Sequence, residues 1–161
     1  LHSIGYNQVE ALVADQEEAV VVYANNEPIQ LEKLGYPVDE IRVQDYVELT
    51  SNGVLTNEAT IKENPDLVRR FVQATLQGVS YALENPEESF EISKKFIEGF
   101  DPAQELVQSQ VLLATMEYWK SQQPGESDAR AWENMQKVLL DMALLEKPLD
   151  LQQAYTNQFV K

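Results

Sequence analysis

Residues 64–83 constrain the fold more than any other stretch. Asn64-Pro65-Asp66 is followed by Leu67, Val68, Phe71, Val72, Thr75, Leu76, Val79, Ala82 and Leu83, spaced three and four apart. Residues at that spacing share one face of a helix, so the run predicts a continuous apolar stripe through about five turns. The start is marked chemically as well: Asn suits the N-cap, Pro the first helical position, and an acid the first turn. A related start device recurs at Asn85-Pro86-Glu87-Glu88 and at Asp101-Pro102. The first predicts a helix buried through Phe90, Phe96 and Ile97. The second predicts one that turns Leu106, Val107, Val111 and Ala114 inward and ends near Trp119. Pro124-Gly125 then reads as a turn, and Ser127 or Asp128 as the cap of a helix carrying Trp132, Met135, Leu139 and Met142. Trp119, Trp132, Met116, Met135 and Met142 stand at helical spacing and read as core. Pro148 halts the chain, and Asp150 opens a last short helix with Ala154, Tyr155 and Phe159. Intervals and apolar patterns differ between these units, so the recurrence is capping chemistry rather than a structural repeat.

The first fifty residues read differently. Ala19-Val20-Val21-Val22 is short and β-branched, which predicts a buried strand. It empties through Tyr23, Asn25, Asn26 and Glu27 into Pro28, whose fixed φ suits the first turn of a helix over residues 29–34. Gly35 fits the position just beyond that helix, and Pro37 blocks its continuation. Before the strand, Asn7 is a candidate N-cap for a helix with Val9, Leu12 and Val13 on one face, and residues 15–18 form an acidic turn. Residues 1–5 read as the tail of a strand. Residues 41–43 and 46–49 are two further extended runs. The alternation predicts a helix-rich α/β fold in which a small mixed sheet precedes a run of C-terminal helices.

Composition narrows the chemistry. A net charge of −15, from 12 Lys and Arg against 27 Asp and Glu, with no basic face, excludes nucleic acid as the expected partner. There is no cysteine and a single histidine, His2, so neither a transition-metal site nor cysteine or serine nucleophile chemistry is expected. Neither Gly-rich phosphate-loop pattern occurs, and no cofactor is expected. The paired acids Glu17-Glu18 and Glu87-Glu88 are what solvated turns and first helical turns ordinarily carry. No run approaches the roughly 18 apolar residues of a membrane span. The first residue is Leu1 rather than Met, which leads to the expectation of an upstream portion that includes any signal or anchor segment.

Against this background Asn25-Asn26-Glu27 stands out. One such residue suffices to cap the helix at Pro28, whereas two carboxamides and a carboxylate together can pair with the N–H and C=O groups of a ligand. At the carboxyl end of a strand these groups would face the edge where open α/β sheets bind small molecules. Glu27 can accept two hydrogen bonds from an amino-substituted heterocycle, and Tyr6 or Tyr23 offers a ring face for stacking. Asn7, at a similar strand-to-helix turn, and Ser51-Asn52-Gly53, at the end of a later extended run, complete the candidate ligand-binding set.

The sequence also resembles the extracytoplasmic solute-binding proteins of ABC importers, in the branch that takes up thiamine pyrimidine precursors, riboflavin, nitrate and sulfonate. The resemblance rests on Ala19-Val-Val-Val-Tyr-Ala-Asn-Asn-Glu-Pro28, Asp45-Tyr46-Val47, Ser51-Asn-Gly-Val-Leu-Thr-Asn-Glu58, Asn85-Pro-Glu-Glu88 and above all Glu63-Asn-Pro-Asp-Leu-Val-Arg-Arg-Phe-Val-Gln-Ala-Thr-Leu-Gln-Gly78. It implies the C-terminal half of a two-lobed, type II periplasmic-binding-protein fold. Residues 1–45 would end the second lobe, and residues 46–161 would supply the crossover strand and the C-terminal helices of the first. The resemblance implies that Asn25, Asn26 and Glu27 reach the cleft with Tyr6, Asn7 and Tyr23 nearby. It further implies a small nitrogen heterocycle as ligand, a membrane permease as partner, a missing N-terminal part of the same protein, a location outside the cytoplasm, and no catalysis. One departure is Glu18 before Ala19, where such proteins usually carry Gly-x-Val-Asp-Ala. A relative on the same fold, the pyrimidine synthase of thiamine synthesis, is an enzyme with a cysteine-rich motif that this chain lacks. Two alternatives remain: a pyrimidine- or amide-processing enzyme using Glu27 as acid or base, and a helical protein-interaction module.

Overall fold

The computed structural model describes residues 2–161. Among them the regular structure is helical: α1 (Gln8–Val13), α2 (Glu27–Lys33), α3 (Glu58–Glu63), α4 (Pro65–Glu84), α5 (Pro86–Ser93), α6 (Glu105–Trp119), α7 (Ala129–Asp141) and α8 (Leu151–Ala154). Short 3₁₀ turns cover Val43–Asp45 and Pro102–Gln104. Where the sequence marks a start, the cap is often the expected one. Asn57 Oδ1 accepts from the Thr60 N–H at 2.8 Å, Asp101 Oδ1 from Ala103 at 2.9 Å, Asp128 Oδ1 from Ala131 at 2.9 Å, and Asp150 Oδ1 from Gln152 at 3.1 Å. Each satisfies an N–H that the helix leaves without an internal partner. Asn7, Asn26 and Asn85 occupy N-cap positions too, but their side chains do not close the cap.

The mixed sheet is corrected: no β-strand is present among the described residues. Residues 19–22 lie outside any strand, and Val21 is 71% exposed rather than buried. Residues 41–43 lead into the 3₁₀ turn, Ile41, Val43 and Tyr46 are exposed, and residues 46–49 form no strand either. A strand exists only through its ladder partner, and β-branched composition carries no information about where that partner is. The strand tail read over residues 1–5 is also absent from residues 2–5, and Leu1 lies outside the described residues.

The chain divides into two compact units. One comprises the segment up to Ile41 together with Ala82–Lys120, and the other Arg42–Tyr81 with Ser121–Lys161. In the first, α2 lies against both α1 and α6, and α5 against α6. Ala11, Leu31, Phe90, Val107 and Met116 are buried there, and Phe100 meets the Phe90 ring edge-on at 6.4 Å. Phe96 and Ile97 are exposed, because α5 stops at Ser93, before the register that would turn them inward. Leu106 is exposed as well.

In the second unit the buried residues are Val68, Ala131 and Phe159. Trp132 and Tyr155 stack nearly parallel at 5.0 Å, and the Arg69 guanidinium sits 5.7 Å from the centre of the Phe159 ring. Gln73 Nε2 donates to the carbonyls of Phe159 and Val160, tying the last residues to α4. Leu67 and Phe71 leave the predicted stripe of α4 partly open, at 52% and 58% exposure. Met142 is likewise exposed rather than core, lying just past the end of α7.

Candidate functional site

The polar turn at residues 23–27 is built by local hydrogen bonding and then anchored from afar. The Asn26 N–H donates to the Tyr23 carbonyl at 2.9 Å, which closes the turn. Glu27 opens α2, and its Oε2 reaches back to accept the Tyr23 N–H at 3.0 Å. Its Oε1 accepts from Asn26 Nδ2 at 3.0 Å, and Asn26 Oδ1 accepts from Gln30 Nε2 at 2.9 Å. A carboxylate at the first turn also sits favourably with the helix dipole. Pro28 and Leu31, both buried, hold the beginning of α2 down. The side chain of Asn25 leaves the turn altogether: its Nδ2 donates to Thr115 Oγ1 on α6 at 2.7 Å.

These bonds use part of the capacity of the three residues and leave the rest. Each carboxylate oxygen of Glu27 has one of its two lone-pair directions taken by a bond just described, and a carboxylate accepts about four bonds in all. What remains on Glu27 is acceptor capacity held in a fixed orientation, suited to N–H donors. Phosphate, sulfonate or nitrate would meet a like charge.

The other candidates are placed as follows. Tyr23 shares the turn and is 55% exposed. Tyr6 is 98% exposed beside Gly5, ahead of α1, and Asn7 Nδ2 donates to the Ile4 carbonyl at 3.4 Å. Ser51 and Asn52 belong to the other compact unit, exposed in an irregular stretch before α3. Residues 19–22 deliver the turn as irregular chain, so the sheet edge expected to present it is absent among the described residues.

Sequence reasoning missed Thr115 and Gln30. Thr115 did carry a signal: it follows Val107 and Val111 at steps of four, a hydroxyl in an otherwise apolar column. Its target could not be read locally, since Asn25 lies 90 positions away.

Two open hollows lie in the same unit, and neither is lined by Asn25, Asn26 or Glu27. One, of about 550 Å³, has Asp15, Glu17 and Glu18 around Leu12 and Leu31. The other, of about 870 Å³, has Phe90 and Leu106 beneath Glu87, Glu88, Glu91 and Glu105. Lys94 bridges Glu91 at 2.6 Å and Glu105 at 2.9 Å, which raises its pKa above the ordinary 10.5. Among the described residues no group of three or more His, Cys, Asp or Glu side chains is placed to share a metal ion, and no helix is long and apolar enough to cross a membrane.

Comparison with known proteins adds an independent line. Residues 2–89 match the family described as NMT1/THI5 like. The chain is 35% identical to the riboflavin-binding protein RibY of Chloroflexus aurantiacus over 165 aligned positions, covering 99% of this chain and 47% of that protein. It is 26% identical to a formylaminopyrimidine-binding protein of Halalkalibacterium halodurans, over 98% of this chain and 49% of the relative. It is 22% identical to a 4-amino-5-hydroxymethyl-2-methylpyrimidine phosphate synthase of Legionella pneumophila, again over 98% of this chain and 49% of the relative. The chain therefore spans about half the length of the curated relatives it matches.

Proposed function

The chain belongs to the NMT1/THI5-like family, and from that premise we propose that it serves a solute-binding protein whose ligand is a flat nitrogen heterocycle of the flavin or aminopyrimidine kind. The observation that carries this reading is the Glu27 carboxylate, held by the Tyr23 N–H and the Asn26 amide with acceptor capacity to spare. Asn25, Asn26, Tyr23, Tyr6 and Asn7 are the proposed neighbours of the ligand. The names of two relatives, a riboflavin binder and a formylaminopyrimidine binder, support the same class of ligand.

On this reading the chain supplies the C-terminal half of a two-lobed protein. The rest of the cleft lies in the length that the relatives have beyond the matched segment. Closure of two lobes over the heterocycle would then present it to an ABC permease outside the cytoplasm.

Titration of the protein carrying this sequence with riboflavin and with formylaminopyrimidine, followed by calorimetry, tests the proposal. One of the two is expected to bind, and Glu27→Gln is expected to weaken it about ten- to a hundred-fold, the usual worth of a hydrogen bond to a charged group. Absence of binding by both, or indifference to Glu27→Gln, refutes the assignment. The relative named as a synthase makes turnover the second measurement. A bound pyrimidine recovered unchanged supports a carrier; a new product supports an enzyme.

A further inference from the structure

The hydrogen bonds around Thr115 can be assigned donor by donor, and the assignment has a consequence for what the turn recognises. The Thr115 hydroxyl lies 2.7 Å from the Val111 carbonyl, one helical turn earlier. A carbonyl only accepts, so the single hydroxyl proton is spent there. Toward Asn25, also 2.7 Å away, the Thr115 oxygen has only lone pairs to offer. The carboxamide of Asn25 must therefore face α6 with its NH₂ end, and its Oδ1 is left on the opposite edge. Were the amide reversed, two lone-pair-bearing oxygens would face each other at 2.7 Å with no proton between them.

A similar argument orients Asn26, whose NH₂ faces the carboxylate of Glu27, which only accepts, and whose oxygen takes the Gln30 donor. The oxygens of Asn25 and Glu27 then give the turn an excess of acceptors over donors. We infer that Thr115 is a positioning residue for ligand selection: by locking the Asn25 carboxamide with its oxygen turned away from α6, it makes the turn select heterocycles that present N–H donors. This rests on the solute-binding reading above and deepens it, because Thr115 acts only through Asn25. Both partners are half-buried and belong to the same compact unit. Water therefore competes only in part for the bond between them.

The test uses Thr115→Val, which keeps the branched shape and removes the hydroxyl, and Thr115→Ser, which restores it. The probes are riboflavin and its N3-methyl analogue, which lacks the ring N–H donor. In the unaltered protein riboflavin is expected to bind more tightly than the analogue. Thr115→Val is expected to weaken riboflavin about three- to ten-fold, the range of one neutral hydrogen bond, and to leave the analogue nearly unchanged, so that discrimination collapses. Thr115→Ser restores it, and Thr115→Val adds little in an Asn25→Ala background, because the coupling runs through that side chain. A loss of packing alone would weaken both probes equally, and that result overturns the inference. Retained discrimination in Thr115→Val, or its absence in the unaltered protein, overturns it as well.

A ligand-free measurement separates this inference from the proposal beneath it. The side-chain NH₂ resonances of Asn25 are expected to shift in Thr115→Val and to return in Thr115→Ser. If they do so while neither probe binds, the positioning bond stands and the selection drawn from it falls; the solute-binding assignment falls with it when formylaminopyrimidine also fails to bind. If they do not move, the positioning role falls whatever the binding data show.

Discussion

Gly125 shows how much one position can demand of its residue. Its φ of +83° belongs to the left-handed region, and a Cβ added there would sit 2.7 Å from Leu76 Cδ2 and 3.3 Å from Cδ1. Gly125→Ala therefore incurs both backbone strain and a displaced leucine, and is expected to lower stability by about 1–3 kcal/mol, read from the urea midpoint. Lys94 makes a different kind of prediction. Its hydrogen bond to Glu91, then that to Glu105, raises its pKa when the chain is folded. The ammonium is thus favoured by folding. The stabilisation is complete below the unfolded value and is lost as pH rises through the higher folded one. Thermal melts between about pH 8 and pH 11.5 should show a decline at the alkaline end that Lys94→Met makes shallower.

Among the elements, the helices divide by whether their first residue caps with its side chain. Asp128 does so for α7, and Asp128→Ala is expected to cost about 1 kcal/mol in chemical denaturation. At α1 the side chain of Asn7 makes no cap bond, so Asn7→Ala is expected to cost only a few tenths of a kcal/mol by the same measurement. Asn7 can then be probed for ligand contact without loss of the helix confusing the result. The other end of α2 closes by sequence rule: Tyr36 donates to the Leu31 carbonyl and Gly35 to that of Glu32, with Gly35 at φ +85°. That paired arrangement is the Schellman motif that Gly after a helix announces. The extended runs had no comparable device, since a ladder is made with another segment and nothing in residues 19–22 or 41–49 names one.

For the whole molecule, contacts between distant parts of the chain are decisive. Phe159 is 6% exposed, lies beneath Arg69, and has its carbonyl held by Gln73. Phe159→Ala is expected to remove about 3 kcal/mol and to speed hydrogen exchange in the first turns of α4. Residues 127 and 157 are joined in the same way, by two hydrogen bonds between Ser127 and Asn157.

The helices of residues 64–154 were legible because spacing, Pro and capping residues act over three or four positions, the range over which a helix makes its own bonds. The polar turn before Pro28 was legible for the same reason: its inner bonds run between neighbours. Two matters were beyond any local rule: whether the valines would find a ladder, and which way the Asn25 carboxamide would face. The second depends on a hydroxyl 90 positions away, and such a contact exists only after the chain has folded and brought α6 beside α2.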